Sequence, residues 1–475
     1  MRAPTNFGAS TRPWILVAIA WMFAQGLSLL YPRALFWDDW MIYSQSSIVL
    51  KEGQEMLWPQ RQLENLLLHI HPGSFRLLTF LLFPLIALLV WSIAGRFLDH
   101  GLTRREQHLF GLLVLFLPAN SARIATITFK YSLSLAAFVV ATWLWTRYRS
   151  FIFSSFVLVL LLFSFRTSSL LSFSLLTSVV GYKIDTSVDH SPRRVALIRN
   201  SLPVLLAVVY RLFISDNGVS PGYNEFRLGG LLRATLLLLG LAGMIGLLIA
   251  SRKRLELSSA ALRQLAFGLF ILWLGAMPYM SVGHLSSLTD WTTYFLPGEG
   301  DWHSRHQLLL PFGFALTLIG LFNLLEGKAL QLLTPLVLMI SVLVTFLYSV
   351  EYFVDAKKQD AVIRALQADE GIREAKFVYV QDDSSAARLN ARGRSYREYE
   401  FDGMLRRAYS GSGPRFLDEQ FTDGTVCSSP SEIPLVEVYV DYPQFAALRT
   451  LISGDPYITL DVSNLQACLK PEYRP

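Results

Sequence analysis

The chain has 475 residues, a formal net charge of +6 and a mean hydropathy of +0.39; 52% of its residues are hydrophobic and only 16% are charged. Soluble domains usually carry about 25% charged residues, so this composition excludes an ordinary soluble enzyme. Residues 351–475 hold 15 basic and 20 acidic residues, whereas residues 1–350 have a net charge of +11. We therefore predict a membrane-embedded domain over residues 1–350 and a soluble domain over residues 351–475.

Eleven apolar runs are long enough to cross or deeply enter a bilayer. They predict an α-helical polytopic membrane protein with about 11 transmembrane helices. The first run is expected to stay as an uncleaved span, because it is about 20 residues long and no small-x-small cleavage site ends it. The runs cover residues 14–34, 75–95, 108–118, 129–146, 151–164, 170–182, 201–215, 231–250, 265–282, 308–325 and 329–350.

Clusters of Lys and Arg follow every second run and so fall on one side of the membrane. The positive-inside rule makes that side cytoplasmic, which predicts a cytoplasmic amino terminus and, after eleven crossings, an external soluble domain. Short basic clusters between apolar runs set orientation rather than bind phosphate backbones, so no nucleic-acid partner is expected. The clusters are Arg2 and Arg12; Arg96, Arg104 and Arg105; Arg147 and Arg149; Lys183, Arg193, Arg194 and Arg199; and Arg252, Lys253 and Arg254.

The soluble domain contains both cysteines of the chain, Cys427 and Cys468. An external location predicts a disulfide between them, whereas a cytoplasmic location would leave two thiols. The domain opens with a helical stretch from Asp355 to Glu370. Alternating apolar residues in KFVYVQDD, LVEVYVDY and YITLDV predict strands, with FAALRTLI helical between the last two, so a small C-terminal α/β or α+β domain is expected. Acceptor docking or stability is its expected role.

The first outer loop, residues 35–74, opens with an acidic pair, Asp38 and Asp39, between Phe36-Trp37 and Trp40. The rest of the loop has apolar residues at helical spacing and predicts an amphipathic helix in the outer interface. Carboxylates beside an apolar interface are costly, so the pair calls for a reason. A general base is one reason, and a cap on the helix that follows is the other; one Asp could cap while the other catalyses.

A multispanning chain with an acidic pair in its first outer loop, followed by an amphipathic helix, resembles the C-type glycosyltransferases of the GT-C fold. The resemblance covers topology over about 350 residues, and its motif is Asp38-Asp39. It implies an enzyme of the bacterial inner membrane with a periplasmic carboxyl-terminal domain. Such an enzyme transfers a monosaccharide from a polyprenyl-phosphate donor to a glycan, a lipid-linked saccharide or a protein. Transfer to a hydroxyl requires a carboxylate to take its proton, and a single displacement inverts the anomeric centre.

The leaving lipid phosphate must be neutralised by cations. Candidates on the outer side are Arg123 and Lys130 in ANSARIATITFKY and Arg166 in FSFRTSSLL. A planar guanidinium suits phosphate oxygens, although Arg166 could instead pair with an acid or carbonyl between helices. The polar cluster before the tenth run adds His303, Arg305 and His306, which resemble the Arg-aromatic segment of such transferases or serve as an interfacial anchor.

The sequence leaves open whether a divalent metal such as Mg²⁺ or Mn²⁺ takes part. Several C-type transferases have a second acidic motif around the third and fourth spans, but ANSARIATITFKY has no acid, so a metal there is doubtful. Two vicinal aspartates alone are a poor cage for Mg²⁺ or Ca²⁺. Four further acids in the outer loops could complete a site, which leaves a metal open: Glu225, Asp290, Glu299 and Asp301.

Two other functions remain open from the sequence. An O-antigen polymerase or ligase would use Arg and His in a large late outer loop, but the 283–307 loop is modest and the acidic pair would be unexplained. A lipid or solute transporter would predict acids within the spans or inverted repeats. The apolar runs hold almost no acids, and the sequence shows no repeat.

Overall fold

A computed structural model describes most of the helical body and part of the carboxyl-terminal region. The predicted helical segment FAALRTLI, both cysteines and most of the 35–74 loop lie outside the described residues. The described residues are 12–37, 39–40, 63, 66–67, 70–71, 73–97, 102–214, 227–251, 259–282, 304–324, 328–375, 377–382, 396–409, 414–416, 435–441, 453 and 459–465.

Eleven helices of the described chain coincide one by one with the eleven apolar runs. Five stretches are long and apolar enough to cross a membrane, Ser74–Phe97, Thr126–Arg147, Arg193–Ile214, Ala260–Met280 and Leu333–Ala368, and three shorter apolar helices accompany them. The number of spans stays a prediction. The helices are α1 Arg12–Gln25, α2 Ser74–Phe97, α3 Arg104–Phe116, α4 Phe129–Arg147, α5 Phe151–Ser164, α6 Leu170–Ser187, α7 Arg193–Val209, α8 Leu228–Ser251, α9 Ser259–Met280, α10 Leu310–Leu324 and α11 Lys328–Ala368.

The main core lies between these helices and consists mainly of apolar side chains, with some buried hydroxyls such as those of Thr142 and Thr177, which hydrogen-bond to each other at 2.8 Å. Leu113, Trp145, Leu161 and Leu309 are among its fully buried side chains. Large apolar side chains also cover the outside, as at Phe151 and Leu232, which suits helices surrounded by lipid rather than water. Glycines let α9 and α10 approach closely, since a Cβ at Gly313 of α10 would clash with the backbone of Leu272 in α9.

Ion pairs and hydrogen bonds between acidic and basic side chains connect several helices at one end of the bundle, here called the charged end. Asp185, at the end of α6, accepts hydrogen bonds from Arg149 at 2.9 Å, Arg199 at 2.8 Å and Asn200 at 2.7 Å. Asp189 pairs with Arg149 at 2.8 Å and with Arg96 at the end of α2 at 3.6 Å. Three of the clusters used to orient the chain thus meet at this end, which is the predicted cytoplasmic end.

Helix α11 runs for 41 residues from an apolar sequence into a polar one. The sequence predicts a separate helix from Asp355 to Glu370, but the structure continues the last apolar helix without a break. Helix propensity explains this, because no Gly or Pro interrupts residues 340–368 while the composition changes around residue 351. One rigid element therefore joins the helical body to the carboxyl-terminal region.

The carboxyl-terminal region contains a four-stranded sheet of order β2-β1-β3-β4. Strand β1 pairs in parallel with β2 and β3, whereas β3 pairs antiparallel with β4. Strands β1, β3 and β4 fall on the three segments predicted from alternation, and the short β2 was not predicted. Helices α12 and α13 accompany the sheet. The bounds are α12 Glu370–Glu374, β1 Phe377–Asp382, α13 Glu398–Ala408, β2 Arg415–Phe416, β3 Leu435–Asp441 and β4 Thr459–Leu465.

Candidate functional site

The described candidate residues lie at the end of the bundle opposite the charged end, here called the site end. Asp39 follows α1, Arg123 and Lys130 lie before and at the start of α4, Arg166 lies between α5 and α6, and Arg305 and His306 precede α10. The other candidates, Asp38, His303, Cys427 and Cys468, lie outside the described residues.

The acid segment, defined as residues 31–37 with Asp39 and Trp40, follows a 3₁₀ turn over Gly26–Leu30. Most of its side chains are buried, with Phe36 at 0% and Trp37 at 3% exposure, whereas Arg33 is exposed. Trp37 has a φ of +50°, a left-handed conformation that is rare and strained for a bulky residue. Its ring lies 5.6 Å from the ring of Tyr352 of α11, and the ring of Phe36 lies 5.0 Å from the same side chain. Packing against α11 therefore holds the strained backbone next to Asp38.

The Asp39 carboxylate cross-links two loops. It is completely buried, and one oxygen accepts hydrogen bonds from the backbone amides of Phe36 at 3.1 Å and Thr126 at 2.8 Å. The other oxygen accepts one from Ile127 at 2.7 Å. None of these donors lies in the turn directly after Asp39, so the described contacts join loops and do not cap a helix; residues 41–50 lie outside the described chain. Burial raises the pKa of Asp39 to about 6, against the opposing effect of the three amides and Arg76.

Arg76, in the first turn of α2, is the residue at this site that the sequence analysis missed. Its guanidinium donates to the backbone carbonyl of Tyr31 at 2.8 Å and to that of Ala34. It also lies 5.3 Å from the ring centre of Tyr31 and 5.4 Å from that of Phe36. Arg76 thus fixes the acid segment from the membrane side. An arginine at the second position of the apolar run 75–95 was the available signal, and such an arginine is easily interpreted as an interfacial anchor.

Arg123 is a buried cation that contacts aromatic faces. Its side chain is 7% exposed, and the guanidinium lies 4.4 Å from the ring centre of Phe83 and 5.4 Å from that of Trp21. Burial lowers its pKa to about 10, so it stays protonated at neutral pH. Tyr352 of α11 favours the charged form of Arg123, and none of the described residues accepts a hydrogen bond from the guanidinium. It therefore differs from Arg76, whose two terminal nitrogens both have carbonyl partners.

Two narrow cavities adjoin Arg123 and share Gln25 and Ile124 in their walls. One extends toward Thr345 and Tyr352 of α11, and the other toward Arg76 of α2. Each has a volume of about 10 Å³, which is room for about one water. Cavities of this size accommodate water beside the guanidinium and are too small for a phosphate group.

The segment before α10 contacts the Arg123 loop directly. The Ser304 hydroxyl accepts a hydrogen bond from the Ala122 amide at 2.7 Å and lies 3.0 Å from the Ser121 hydroxyl. The side chain of Gln307 accepts from the Asn120 amide at 3.4 Å. The predicted polar cluster is therefore a neighbour of Arg123, and Ser304 and Gln307 carry the contacts.

The other candidate cations, His306, Arg166 and Lys130, also lie at the site end. The His306 ring is 4.9 Å from the Tyr279 ring, and the Tyr279 hydroxyl donates to Ser169 at 3.1 Å, in the connection that contains Arg166. Lys130 is half-buried, and its ammonium lies 5.2 Å from the ring centre of Tyr131.

Hydrogen bonds connect Asp39, the Arg123 loop and the 304–307 segment into one group. Thr126 and Ile127 of this loop bind Asp39, and Ala122 of the same loop binds Ser304.

Among the described residues no group of three or more His, Cys, Asp or Glu side chains could hold a metal ion. The four outer-loop acids that would complete a site with the acidic pair all lie outside the described residues, so metal dependence stays a prediction.

No family model matches the chain, and no curated protein is significantly similar to it. The apolar helices and their lipid-type exposed surface define an α-helical membrane protein.

Proposed function

We propose that this protein is a C-type membrane glycosyltransferase that transfers a monosaccharide from a polyprenyl-phosphate donor to a periplasmic glycan, lipid-linked saccharide or protein. One observation carries the proposal: a buried carboxylate, Asp39, and two buried guanidiniums, Arg76 and Arg123, gather at the site end. Buried charges at a membrane interface are costly and mark places where a charged ligand is bound or converted. The strained backbone of Trp37, next to Asp38, supports the same conclusion, because such strain concentrates at functional sites.

Asp38 is the proposed general base. Both oxygens of Asp39 already accept backbone hydrogen bonds, and its side chain has no exposure. Asp39 therefore suits the role of holding the loop, which leaves the adjacent carboxylate to take the acceptor proton. The hydroxyl oxygen attacks C1 of the donor sugar, the C1–O bond to phosphate breaks, and the proton passes to the carboxylate. A single displacement of this kind inverts the anomeric centre.

Arg123 is the proposed contact for the departing phosphate. It is a protonated guanidinium whose acceptor is not supplied by the described residues, and a phosphate oxygen is a suitable partner. Because the adjacent cavities have room for about one water each, the site end must open for a donor to enter. Lys130, Arg166, His303, Arg305 and His306 are proposed to line the opened site, and a divalent metal remains open.

The proposed location is the bacterial inner membrane, with a cytoplasmic amino terminus and a periplasmic carboxyl-terminal domain. The opposite placement of the charged end and the site end supports this, since basic clusters favour the cytoplasmic side. The site end would then face the leaflet in which a polyprenyl-phosphate sugar is presented to the periplasm.

Glycan analysis of a deletion strain, complemented with defined variants, tests the proposal. The wild-type chain should restore a missing sugar, whereas Asp38→Asn should reduce it by about 10²- to 10⁴-fold in turnover. Asp402→Asn is the matched control, because Asp402 lies on α13 in an exposed ion pair with Arg406 at 2.7 Å. An unchanged glycan in the deletion strain, or near wild-type turnover of stably inserted Asp38→Asn, would contradict the proposal.

A further inference from the structure

We infer that the carboxyl-terminal region positions the acid segment through Gln359, Arg407 and a binding pocket for Trp40. This region would then be a structural part of the site rather than an independent docking module. The inference rests on the proposed function only where it concerns catalysis, and its structural part can be tested without any substrate.

Gln359 of α11 forms hydrogen bonds with both backbone polar groups of Leu35. Its amide nitrogen donates to the Leu35 carbonyl at 2.6 Å, and its amide oxygen accepts from the Leu35 amide at 3.3 Å. Gln359 is 1% exposed. A buried backbone needs partners for both of its polar groups, and here one side chain supplies both. The two residues are 324 positions apart, so this contact ties the first outer loop to the last long helix.

Trp40 is buried in the core of the carboxyl-terminal region. Its side chain has 0% exposure and belongs to a cluster with Val362 and Leu366 of α11 and with Phe401 and Met404 of α13. The residue one position beyond Asp39 is therefore part of a hydrophobic core that the soluble region supplies. An aromatic anchor in a closed apolar pocket fixes the chain more firmly than a surface contact does.

Arg407 adds a third contact from α13. Its guanidinium donates to the backbone carbonyl of Arg33 at 3.1 Å and lies 5.9 Å from the ring centre of Trp40. Helix α13 is itself fastened to α11, because the Gln367 amide donates to the Ala408 carbonyl at 2.9 Å. The acid segment is thus held at positions 33, 35 and 40 by the carboxyl-terminal region.

The membrane side holds the same segment at other points. Arg76 binds the carbonyls of Tyr31 and Ala34, and the amides of Thr126 and Ile127 bind Asp39. Contacts from both sides therefore bracket the position of the acidic pair. Releasing the carboxyl-terminal contacts should loosen the segment while the transmembrane packing stays intact.

Hydrogen exchange on the full-length protein in nanodiscs tests this with two matched pairs of variants. Gln359→Met removes both bonds to Leu35, whereas Gln107→Met removes one bond to a backbone carbonyl, that of Leu102 at 3.5 Å, near the start of α3 at the charged end. Arg407→Met removes the bond to Arg33, whereas Arg406→Met removes only an exposed ion pair with Asp402. Amide exchange over residues 31–40 should accelerate about 10- to 30-fold in Gln359→Met and several-fold in Arg407→Met. It should stay at the wild-type rate in the two controls.

Wild-type exchange over residues 31–40 in folded Gln359→Met and Arg407→Met would overturn the inference. Equal acceleration in the controls would overturn it too, because the effect would then be general destabilisation. Arg407→Met and Arg406→Met both change a partly exposed helix. The comparison between them therefore still tests the inference if Gln359→Met fails to fold.

A kinetic arm separates this inference from the proposed function. If the wild type transfers sugar, Gln359→Met should lower kcat while the donor KM stays within about twofold, since position and not donor contact is disturbed. Gln107→Met should change neither constant. If the wild type transfers no sugar but the exchange pattern appears, the positioning role stands and the proposed function fails.

Discussion

The Asp39 carboxylate accepts a 2.7 Å hydrogen bond from the backbone amide of Ile127, which lies 88 residues further along the chain. The bond joins the acid segment to the turn that begins α4, and Thr126 donates to the other carboxylate oxygen. Because the carboxylate has no exposure, both loops depend on an acceptor at each of its oxygens.

Asp39→Asn should therefore destabilise the protein despite the similar shape of the two side chains. An asparagine has one acceptor oxygen and one NH₂ group, so a backbone amide of Phe36, Thr126 or Ile127 would face a donor. A buried donor without a partner costs about 1–3 kcal/mol. Thermal unfolding in detergent should show a lower Tm than for Asp402→Asn. A Tm of Asp39→Asn equal to that of the wild type would contradict the cross-linking role of Asp39.

The stability of the wild type and that of Asp39→Asn should also depend differently on pH. Burial raises its pKa from 3.8 to about 6, so the folded protein binds this proton more tightly than the unfolded chain does. The resulting stabilisation is complete below about pH 4 and is lost as the pH rises through 6, a change of about 3 kcal/mol. The Tm of the wild type minus that of Asp39→Asn should thus fall from pH 4 to pH 6 and then stay constant. A difference that is constant from pH 4 to pH 7 would contradict this titration.

The sequence predicts the eleven long helices and three of the four strands because each carries a local signal, whereas α12, α13 and β2 were not predicted. Long apolar runs mark the helices, and alternation marks β1, β3 and β4. It also singles out Asp39 and Arg123, since charges beside apolar runs are unusual. The contact between Gln359 and Leu35 could not be predicted, because a side chain that binds backbone 324 residues away leaves no periodic pattern. The burial of Trp40 in the carboxyl-terminal core was missed for the same reason.

Arg123→Met should impair transfer while leaving folding stability unchanged or raised. The substitution removes a buried charge for which the described residues offer no acceptor, and so removes its desolvation cost. This gain opposes the loss of the cation–π contacts with Trp21 and Phe83. Loss of a charge-assisted bond to phosphate should lower kcat/KM for the donor by about 10- to 100-fold. Denaturation followed by tryptophan fluorescence, together with transfer kinetics, measures both effects. A loss of more than about 2 kcal/mol with unchanged kinetics would make Arg123 structural.

Arg76→Lys should loosen the acid segment, because an ammonium cannot reproduce the fork that reaches the carbonyls of both Tyr31 and Ala34. At least one buried carbonyl loses its donor, which costs about 1–3 kcal/mol. Limited proteolysis should cut residues 31–40 faster than in the wild type. Arg105→Lys is the control, since Arg105 is exposed at the opposite end of the bundle. Identical proteolysis of the two variants would show that a single positive charge is sufficient at position 76.

The two cysteines offer a direct test of sidedness. If the carboxyl-terminal domain is periplasmic, Cys427 and Cys468 should form a disulfide that closes a loop of about 40 residues and contributes about 3–4 kcal/mol. A membrane-impermeant maleimide added to spheroplasts should then label the protein only after mild reduction. A Ser187→Cys variant with both native cysteines replaced by serine should react only after permeabilisation, because residue 187 ends α6 near Asp185. Labelling of the native cysteines without reduction, and only after permeabilisation, would place the domain in the cytoplasm and reverse the proposed orientation.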